Sequence, residues 1–223
     1  MFPVLRQLGR RDGVWFLLSQ LLSRLTGGWL RIIKYYLVVQ PLAEMPSVPA
    51  HRGRQLQFRE IREGDPLLNG MAREPYFIHH RFRQGAYCLG VLSDGELVGF
   101  LWWLEGPYEE DEVRCVFLPQ PKGLAVWDFD VYLSPSHRLG ISFSRLWQEA
   151  SRRLLARGFL YTSSRISAFN PASLRAHQRL GAKVVGSRVF IGLGSLEFSV
   201  GSQAPRWSLS FRGGTGPRIK VGP

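Results

Sequence analysis

Cysteine is scarce in this chain of 223 residues, which contains only Cys88 and Cys115. The two lie in separate apolar runs, without a C-x-x-C pair or a tight cluster of cysteine and histidine. This pattern excludes a small scaffold built on disulfides, and a structural zinc site is not expected. We predict two buried thiols in a reducing compartment.

The sequence also lacks a long apolar run. Its most apolar helical pattern near the amino terminus covers residues 14–25 and is followed by Thr26-Gly27-Gly28. A membrane span needs about 20 apolar residues, so this segment is too short. No small-x-small cleavage site follows it, so secretion is not expected. We predict a cytoplasmic protein and leave open a peripheral attachment to the inner membrane surface.

Residues 14–25 have the spacing of an amphipathic helix. The apolar positions recur at intervals of one, three and four residues, at Val14, Leu17, Leu18, Leu21, Leu22 and Leu25. Two interpretations stay open. In the first, the helix lies in an anionic membrane interface, with Trp15 and Phe16 buried. In the second, it packs against the main domain or against a second subunit, as in a homodimer.

Acidic residues are few, with 17 Asp and Glu against 29 Lys and Arg, and the net charge is +12. Residues 1–54 hold eight basic and two acidic residues, and residues 201–223 hold four basic and none acidic. We therefore predict a basic N-terminal extension and linker (1–54), a central domain (55–200) and a flexible basic tail (201–223). The extensions could approach a membrane, an acidic carrier protein or RNA, whereas a nucleic-acid-binding core is not expected.

Helical and strand-like patterns alternate along the central domain. The end of the stretch 29–39 is expected to add a further strand. The other predicted elements are a strand at 55–61, helices beginning at Asp65 and Pro75, a hairpin of 87–92 with 96–104, strands at 113–118 and 124–133, a helix from Ile141 to Gly158, a strand at 159–166, a short helix from Asn170 to Gly181, and strands at 184–193 and 196–200.

The strand at 124–133 carries two acidic side chains inside an apolar run. Strict alternation would place Val126, Asp128, Asp130 and Tyr132 on one face. Two carboxylates there are costly unless they meet partners or border a cleft. Two interpretations remain: a hydrogen-bonded structural pair, or a base that takes a proton from an amine nucleophile.

This strand runs through the turn at 133–142 into an amphipathic helix. Backbone N–H groups and the positive end of a helix suit an anionic ligand. A second segment, Asn170-Pro171, then opens a short helix that Gly181 closes.

Two motifs resemble those of the GNAT superfamily of N-acyltransferases, over about residues 55–195. The turn His137-Arg138-Leu139-Gly140-Ile141-Ser142 resembles that family's Gln/Arg-x-x-Gly-x-Gly/Ala, with a histidine in the first position. The segment Asn170-x-x-Ser173-x-x-x-His177-x-x-x-Gly181 resembles Asn-x-x-Ala/Ser-x-x-x-Tyr-x-x-x-Gly, with a histidine in place of the tyrosine.

The resemblance implies an α+β fold, with a mostly antiparallel central sheet of six to seven strands flanked by about four helices and the extra N-terminal helix. It also implies direct transfer of an acyl group from acetyl-CoA or another acyl-CoA to a small-molecule or peptide amine, without a metal. The cofactor-binding residues would be Val131 and Leu133 beside the thioester, His137, Arg138, Leu139, Gly140, Ile141 and Ser142 around the pyrophosphate, and Asn170 and Ser173 along the pantetheine arm. Asp128 or Asp130 would act as the base, and His177 would protonate the departing thiolate.

Two alternatives stay open beside this activity. The donor could be a long acyl chain on acyl carrier protein, as in the synthases of N-acyl amino acids and acyl-homoserine lactones, because the turn is short and the extensions are basic. A domain of this fold without catalytic activity could also serve as a binding module, because His137 and His177 replace the usual residues.

Overall fold

The computed structural model describes residues 5–43, 48–49, 51–138 and 141–223. The chain divides into two compact units, which are not contiguous in sequence. Unit 1 contains Met1–Gln40, Glu109–Leu118 and Ser163–Pro223, and unit 2 contains Pro41–Tyr108 and Pro119–Thr162. The predicted boundaries near residues 54 and 200 do not coincide with this division.

Five α-helices and one 3-10 helix occur among the described residues. They are α1 (Arg10–Leu25), the 3-10 helix (Pro66–Gly70), α2 (Pro75–Arg83), α3 (Pro135–Arg138), α4 (Ser142–Ala156) and α5 (Pro171–Arg179). The strands are β1 (Leu30–Pro41), β2 (Leu56–Ile61), β3 (Tyr87–Ser93), β4 (Glu96–Leu104), β5 (Tyr108–Glu109), β6 (Val116–Pro119), β7 (Ala125–Leu133), β8 (Tyr161–Ser167), β9 (Lys183–Leu193), β10 (Leu196–Gly201), β11 (Trp207–Phe211) and β12 (Arg218–Val221).

Unit 2 contains the strand order β7-β4-β3-β2, and each neighbouring pair is antiparallel. The predicted hairpin is present: Asp94 and Gly95 both have positive φ, 52° and 84°, as a tight two-residue turn requires. Strand β4 is buried on both faces from Val98 onward. Helix α4 buries Trp147, Ala150 and Leu154, and Gly158 follows it with φ of 88°.

Unit 1 contains the strand order β11-β10-β9-β1-β8. Strand β1 pairs antiparallel with β9 along nearly its whole length, from Leu30 opposite Leu193 to Val39 opposite Lys183. The stretch 29–39, of which only the end was expected to be a strand, is therefore a sheet strand almost throughout. Residues 201–223 form β11 and β12, so the prediction of a flexible tail is wrong for these segments.

The α+β class is confirmed, but the strands are more numerous than predicted. The two strand orders contain nine strands against the six to seven that the resemblance implies, and β11 is the one among them without a counterpart in the predicted strands. A separate sheet of three strands has the order β12-β6-β5. Among the described residues, no helix has the length and apolar character to cross a bilayer.

The end of β7 lies unusually close to β4. A Cβ added at Gly99 would lie 2.4 Å from Leu133 Cδ2 and 2.7 Å from the carbonyl oxygen of Tyr132. We predict that Gly99→Ala lowers the free energy of unfolding by about 1–3 kcal/mol, because one strand has to move. Urea titration measures the change.

The matched control for this variant is Gly70→Ala. A Cβ there meets no atom within 4 Å. The control is expected to change stability by less than about 0.5 kcal/mol. An equal loss of stability in both variants would contradict the close approach of β4 and β7.

Candidate functional site

A β-bulge interrupts the pairing of β7 with β4. Phe100 lies opposite Tyr132 and Trp102 lies opposite Phe129, so two residues of β7, Asp130 and Val131, face the single residue between them on β4. Asp130 has φ of 50°, in the left-handed backbone region that residues other than glycine rarely adopt.

The bulge changes which side chains share a face. Phe129 stacks with Trp102, and Tyr132 stacks with Phe100, two residues along the same face of β4. Asp128 lies opposite Trp103, on the other face. The alternation predicted for 126–132 is therefore wrong at Tyr132, because the extra residue shifts the period.

An extra residue in a bulge disrupts the ladder, so its backbone groups are freed from regular pairing with the neighbouring strand. Such N–H groups can donate to a ligand carbonyl whose oxygen gains charge during a reaction. Val131 and Leu133, predicted to lie beside a thioester, are at and just after this bulge. Leu133 lies opposite Gly99, where the ladder has resumed, and contact of either residue with a thioester stays a prediction.

The side chain of Asp130 binds two arginines. Arg73 donates to both carboxylate oxygens, with Nε 2.8 Å from Oδ2, and Arg81 donates from Nη1 to Oδ2 at 2.5 Å. Burial alone would raise the pKa of Asp130, but the hydrogen bonds and charges of the two arginines outweigh it and lower the pKa. The charged form of Asp130 is therefore favoured, and its carboxylate is a weak base.

Arg81 is buried, although the sequence places it on a basic helix. Its guanidinium lies 5.5 Å from the ring centroid of Trp102 and 5.3 Å from that of Phe129. Sequence reasoning missed both arginines of the cluster Arg73–Asp130–Arg81. No local signal marks them, since they lie 57 and 49 residues from their partner.

The second acidic residue of β7, Asp128, is 3% exposed. The structure separates the two carboxylates that the sequence treats as equivalent: Asp130 is bound by arginines at the bulge, and Asp128 lies in the regular part of the strand. A role for either as a base stays a prediction.

The predicted phosphate turn begins with a short helix, α3. His137 Nδ1 lies 2.8 Å from Ser134 Oγ, and Arg138 Nε donates to the Leu133 carbonyl oxygen at 2.7 Å. The Arg138 guanidinium is 5.4 Å from the ring centroid of Tyr132. Leu139 and Gly140, the centre of the predicted motif, lie outside the described residues.

Helix α4 follows this turn at Ser142 and is 15 residues long. Ile141 precedes it and makes no side-chain cap, and the first turn has no acidic residue. The positive end of the helix therefore has no carboxylate of its own to offset it, and His137 and Arg138 precede it by a few residues. This arrangement is compatible with an anionic group such as a pyrophosphate.

Three other predicted site residues belong to unit 1. Asn170 Oδ1 accepts from the Ser173 backbone N–H at 3.1 Å, so the predicted cap of α5 is confirmed. Contact of Asn170 and Ser173 with a pantetheine arm stays a prediction. His177, on the same helix, is 5% exposed.

Burial lowers the pKa of His177 to about 4. Its imidazole is therefore neutral near pH 7, and a proton donated from it would have to leave a neutral ring. The predicted role in protonating a thiolate stays a prediction, and it is a demanding one for this environment.

Other sequence candidates have structural contacts of their own. Trp102 and Trp103 are buried in the core, and so are both cysteines, as predicted. In the acidic loop, Glu110 accepts two hydrogen bonds from Arg165, at 3.0 and 2.6 Å. Within the part of the chain that the structure describes, no group of three or more His, Cys, Asp or Glu side chains could hold a metal ion.

The sequence matches no family model and no curated protein. Solved structures with a similar fold include a conserved protein of unknown function from Staphylococcus epidermidis, with a TM-score of 0.51 and 12% identity over 78% of this chain and 66% of that one. A GCN5-related glucosamine N-acetyltransferase region of a fungal multi-domain GH3 β-N-acetylglucosaminidase has a TM-score of 0.51 and 12% identity over 75% of this chain and 22% of that one. A GCN5-related N-acetyltransferase from Kribbella flavida has a TM-score of 0.45 and 13% identity over 87% of this chain and 64% of that one.

This chain spans less than two thirds of the length of each of these three structures. At such low identity the likeness concerns the fold alone. The chain has a GNAT-type fold, as the resemblance of its motifs predicted.

We predict that Asp130→Asn lowers the free energy of unfolding by about 3 kcal/mol at pH 7, because Arg81 then stays buried without its carboxylate. The folded-state pKa of Asp130 is lowered, so its stabilisation is present above the ordinary value and is lost as the pH falls through the folded one. The difference from wild type should therefore shrink below about pH 4. Urea titration across this pH range measures it.

Asp94→Asn is the matched control, because Asp94 lies exposed in the β3–β4 turn with a similar positive φ, which asparagine tolerates. It should cost less than about 0.5 kcal/mol. Equal effects of the two substitutions would contradict the stabilising role of the arginine cluster.

A second prediction concerns His177. Because its pKa is about 4 in the folded protein and 6.5 otherwise, the unfolded chain takes up a proton in this interval and the folded chain does not. Wild type should lose roughly 3 kcal/mol of stability between pH 6.5 and pH 4 from this residue. His177→Gln should have a flatter profile in calorimetry or urea titration, and His51→Gln, an exposed control, should match wild type. Parallel profiles for all three proteins would contradict the burial of a neutral imidazole.

Proposed function

We propose that this protein is an N-acyltransferase that moves an acyl group, most simply acetyl, from acyl-CoA to an amine. The observation that supports the proposal best is the bulge at Asp130–Val131, just ahead of the turn into α4, in a chain with a GNAT-type fold. In this proposal, the bulge supplies a backbone N–H for the thioester carbonyl of the donor. The positive end of α4, which follows in the same unit, supplies a site for the pyrophosphate.

Acyl-CoA supplies an activated thioester carbonyl and an anionic pyrophosphate. In unit 2, backbone N–H groups at Val131 and Leu133 donate to the carbonyl oxygen and stabilise the charge that develops there. The N-terminus of α4, with His137 and Arg138, binds the pyrophosphate.

Asp130 acts as a positioning residue in this proposal. Its two arginines hold the bulge in the left-handed conformation, and its lowered pKa makes it a poor proton acceptor. Asp128 is the remaining candidate on β7 for taking the amine proton, through water or directly. The acceptor is an amine of a small molecule or a peptide.

The proposal predicts a specific loss of donor binding in Arg138→Glu. The variant places a carboxylate near the start of α4, where the pyrophosphate would bind, so coenzyme A should bind about tenfold or more weakly in isothermal titration. Arg152→Glu is the matched control, since it reverses a charge on the exposed surface of the same helix, away from its start. The control should bind coenzyme A like wild type.

Turnover is measured as thiol released from acetyl-CoA with a panel of amines. Release above the rate without amine supports the acyltransferase. Coenzyme A binding without release for any amine would favour a binding module instead. Absence of both, with activity only on an acylated carrier protein, would replace the donor by that carrier.

A further inference from the structure

One face of the unit 1 sheet can be followed across four strands. Residues directly opposite one another in a sheet lie on the same face. Ile32 of β1 pairs with Ile191 of β9, Ile191 pairs with Phe198 of β10, and Phe198 pairs with Leu209 of β11. These four apolar residues therefore form one row across the sheet.

Helix α1 covers this same face at β1. Asp12 of α1 binds Lys34 Nζ at 2.6 Å and accepts from Tyr36 Oη at 2.7 Å. Lys34 and Tyr36 alternate in step with Ile32, so all three share the face. Ser19 Oγ also donates to the Ile32 carbonyl oxygen at 2.9 Å.

Beyond β1, this face is mainly apolar, and most of its side chains on β10 and β11 are exposed. We call its exposed residues the outer ladder: Leu193, Phe198, Val200, Trp207, Leu209 and Phe211, each between 39% and 67% exposed. The opposite face of β10 and β11 contains Glu197, Ser199 and Ser210, and these polar residues are buried. The usual arrangement, with apolar residues inside and polar residues outside, is inverted here.

The helix has the same inversion. Asp12, Ser19 and Phe16 contact the rest of unit 1, and the ring of Phe16 meets that of Phe169 edge-on. Its most apolar side faces solvent. We call this side the helix stripe: Val14, Leu17, Leu18, Leu21 and Leu25, each between 40% and 73% exposed. The stripe contains five of the six positions that the sequence spacing singled out.

Basic residues flank both apolar surfaces. Arg10, Arg11 and Arg24 are exposed at the two ends of the helix stripe, and Arg206 and Arg212 are exposed at the two ends of β11. By sequence, unit 1 has sixteen basic and six acidic residues, a net charge of +10, whereas unit 2 has thirteen and eleven, a net charge of +2. The apolar surfaces thus belong to the strongly basic unit.

We propose that the helix stripe and the outer ladder together bind the surface of an anionic lipid bilayer. Large apolar side chains, among them Trp207 and Phe211, would enter the interface between headgroups and chains, and the flanking arginines would bind lipid phosphates. A second copy of this chain is a poorer occupant, because pairing the face with itself brings two units of +10 together.

The experiment uses the full-length chain and sedimentation with vesicles of phosphatidylcholine alone or of phosphatidylcholine with 30% phosphatidylglycerol. Wild type should bind the anionic vesicles at least about tenfold more tightly than the neutral ones, and binding should weaken as salt rises. Leu17→Ser/Leu21→Ser and, separately, Trp207→Ser/Phe211→Ser should each weaken binding to anionic vesicles about tenfold or more.

The control variant is Leu155→Ser/Leu160→Ser, which removes two exposed leucines of unit 2. It should bind vesicles like wild type. Because exposed serine substitutions leave the core in place, circular dichroism should show all variants folded. Equal binding of wild type to neutral and anionic vesicles, or equal binding of all variants, would overturn the proposal.

Sedimentation velocity identifies the competing occupant. A wild-type dimer that both face variants convert to monomers, with no binding to either vesicle, would assign the face to a second copy and overturn the lipid proposal. The inference does not depend on acyl transfer, since vesicle binding is read without acyl-CoA or amine.

Discussion

The bulge in β7 depends on one partly buried carboxylate held by two arginines. Asp130 takes a backbone conformation that costs energy for any residue with a side chain, and the bonds from Arg73 and Arg81 offset that cost. Arg81 comes from α2 and is enclosed by Trp102 and Phe129. The position of α2, the packing of β4 and the shape of β7 are therefore linked through a single charge cluster within unit 2.

This cluster also explains why two neighbouring carboxylates of one strand have different chemistry. The arginines favour the charged form of Asp130 and remove its basicity, whereas Asp128 lies where the ladder is regular. If the side chains of β7 alternated strictly, Asp128 and Asp130 would lie on the same face and have the same environment. The bulge separates them, and it also turns Tyr132 to the face of Phe129.

Local features were predictable from the sequence. Ser93-Asp94-Gly95 specified its hairpin because its central residues accept positive φ. Asp65 and Asn170 specified caps, since each side chain accepts from a backbone N–H close by in sequence. The spacing of Trp147, Ala150 and Leu154 specified the buried side of α4.

Features set by distant partners were not predictable. Arg81 resembles a solvated helix residue until Asp130 is placed beside it. The tail around Trp207 has the glycine and proline content of a mobile segment, but pairing with β10 makes it a strand. The helix stripe was expected to face either a membrane or a protein core, and only the contacts of Asp12 and Ser19 show which side meets the sheet.

The place of β1 in unit 1 has a consequence for how this chain is made. Strand β1 lies between β9 and β8, and Leu30 pairs with Leu193. The backbone hydrogen bonds of β1 with β9 therefore cannot form until residue 193 has been synthesised. During synthesis, β1 leaves the ribosome long before its neighbours β8 and β9. Pairing at such long range is slow, and in the meantime the edges of β1 and the face that α1 does not cover stay exposed. The yield of folded protein therefore depends on how long β1 stays unpaired during translation as well as on the stability of the finished fold.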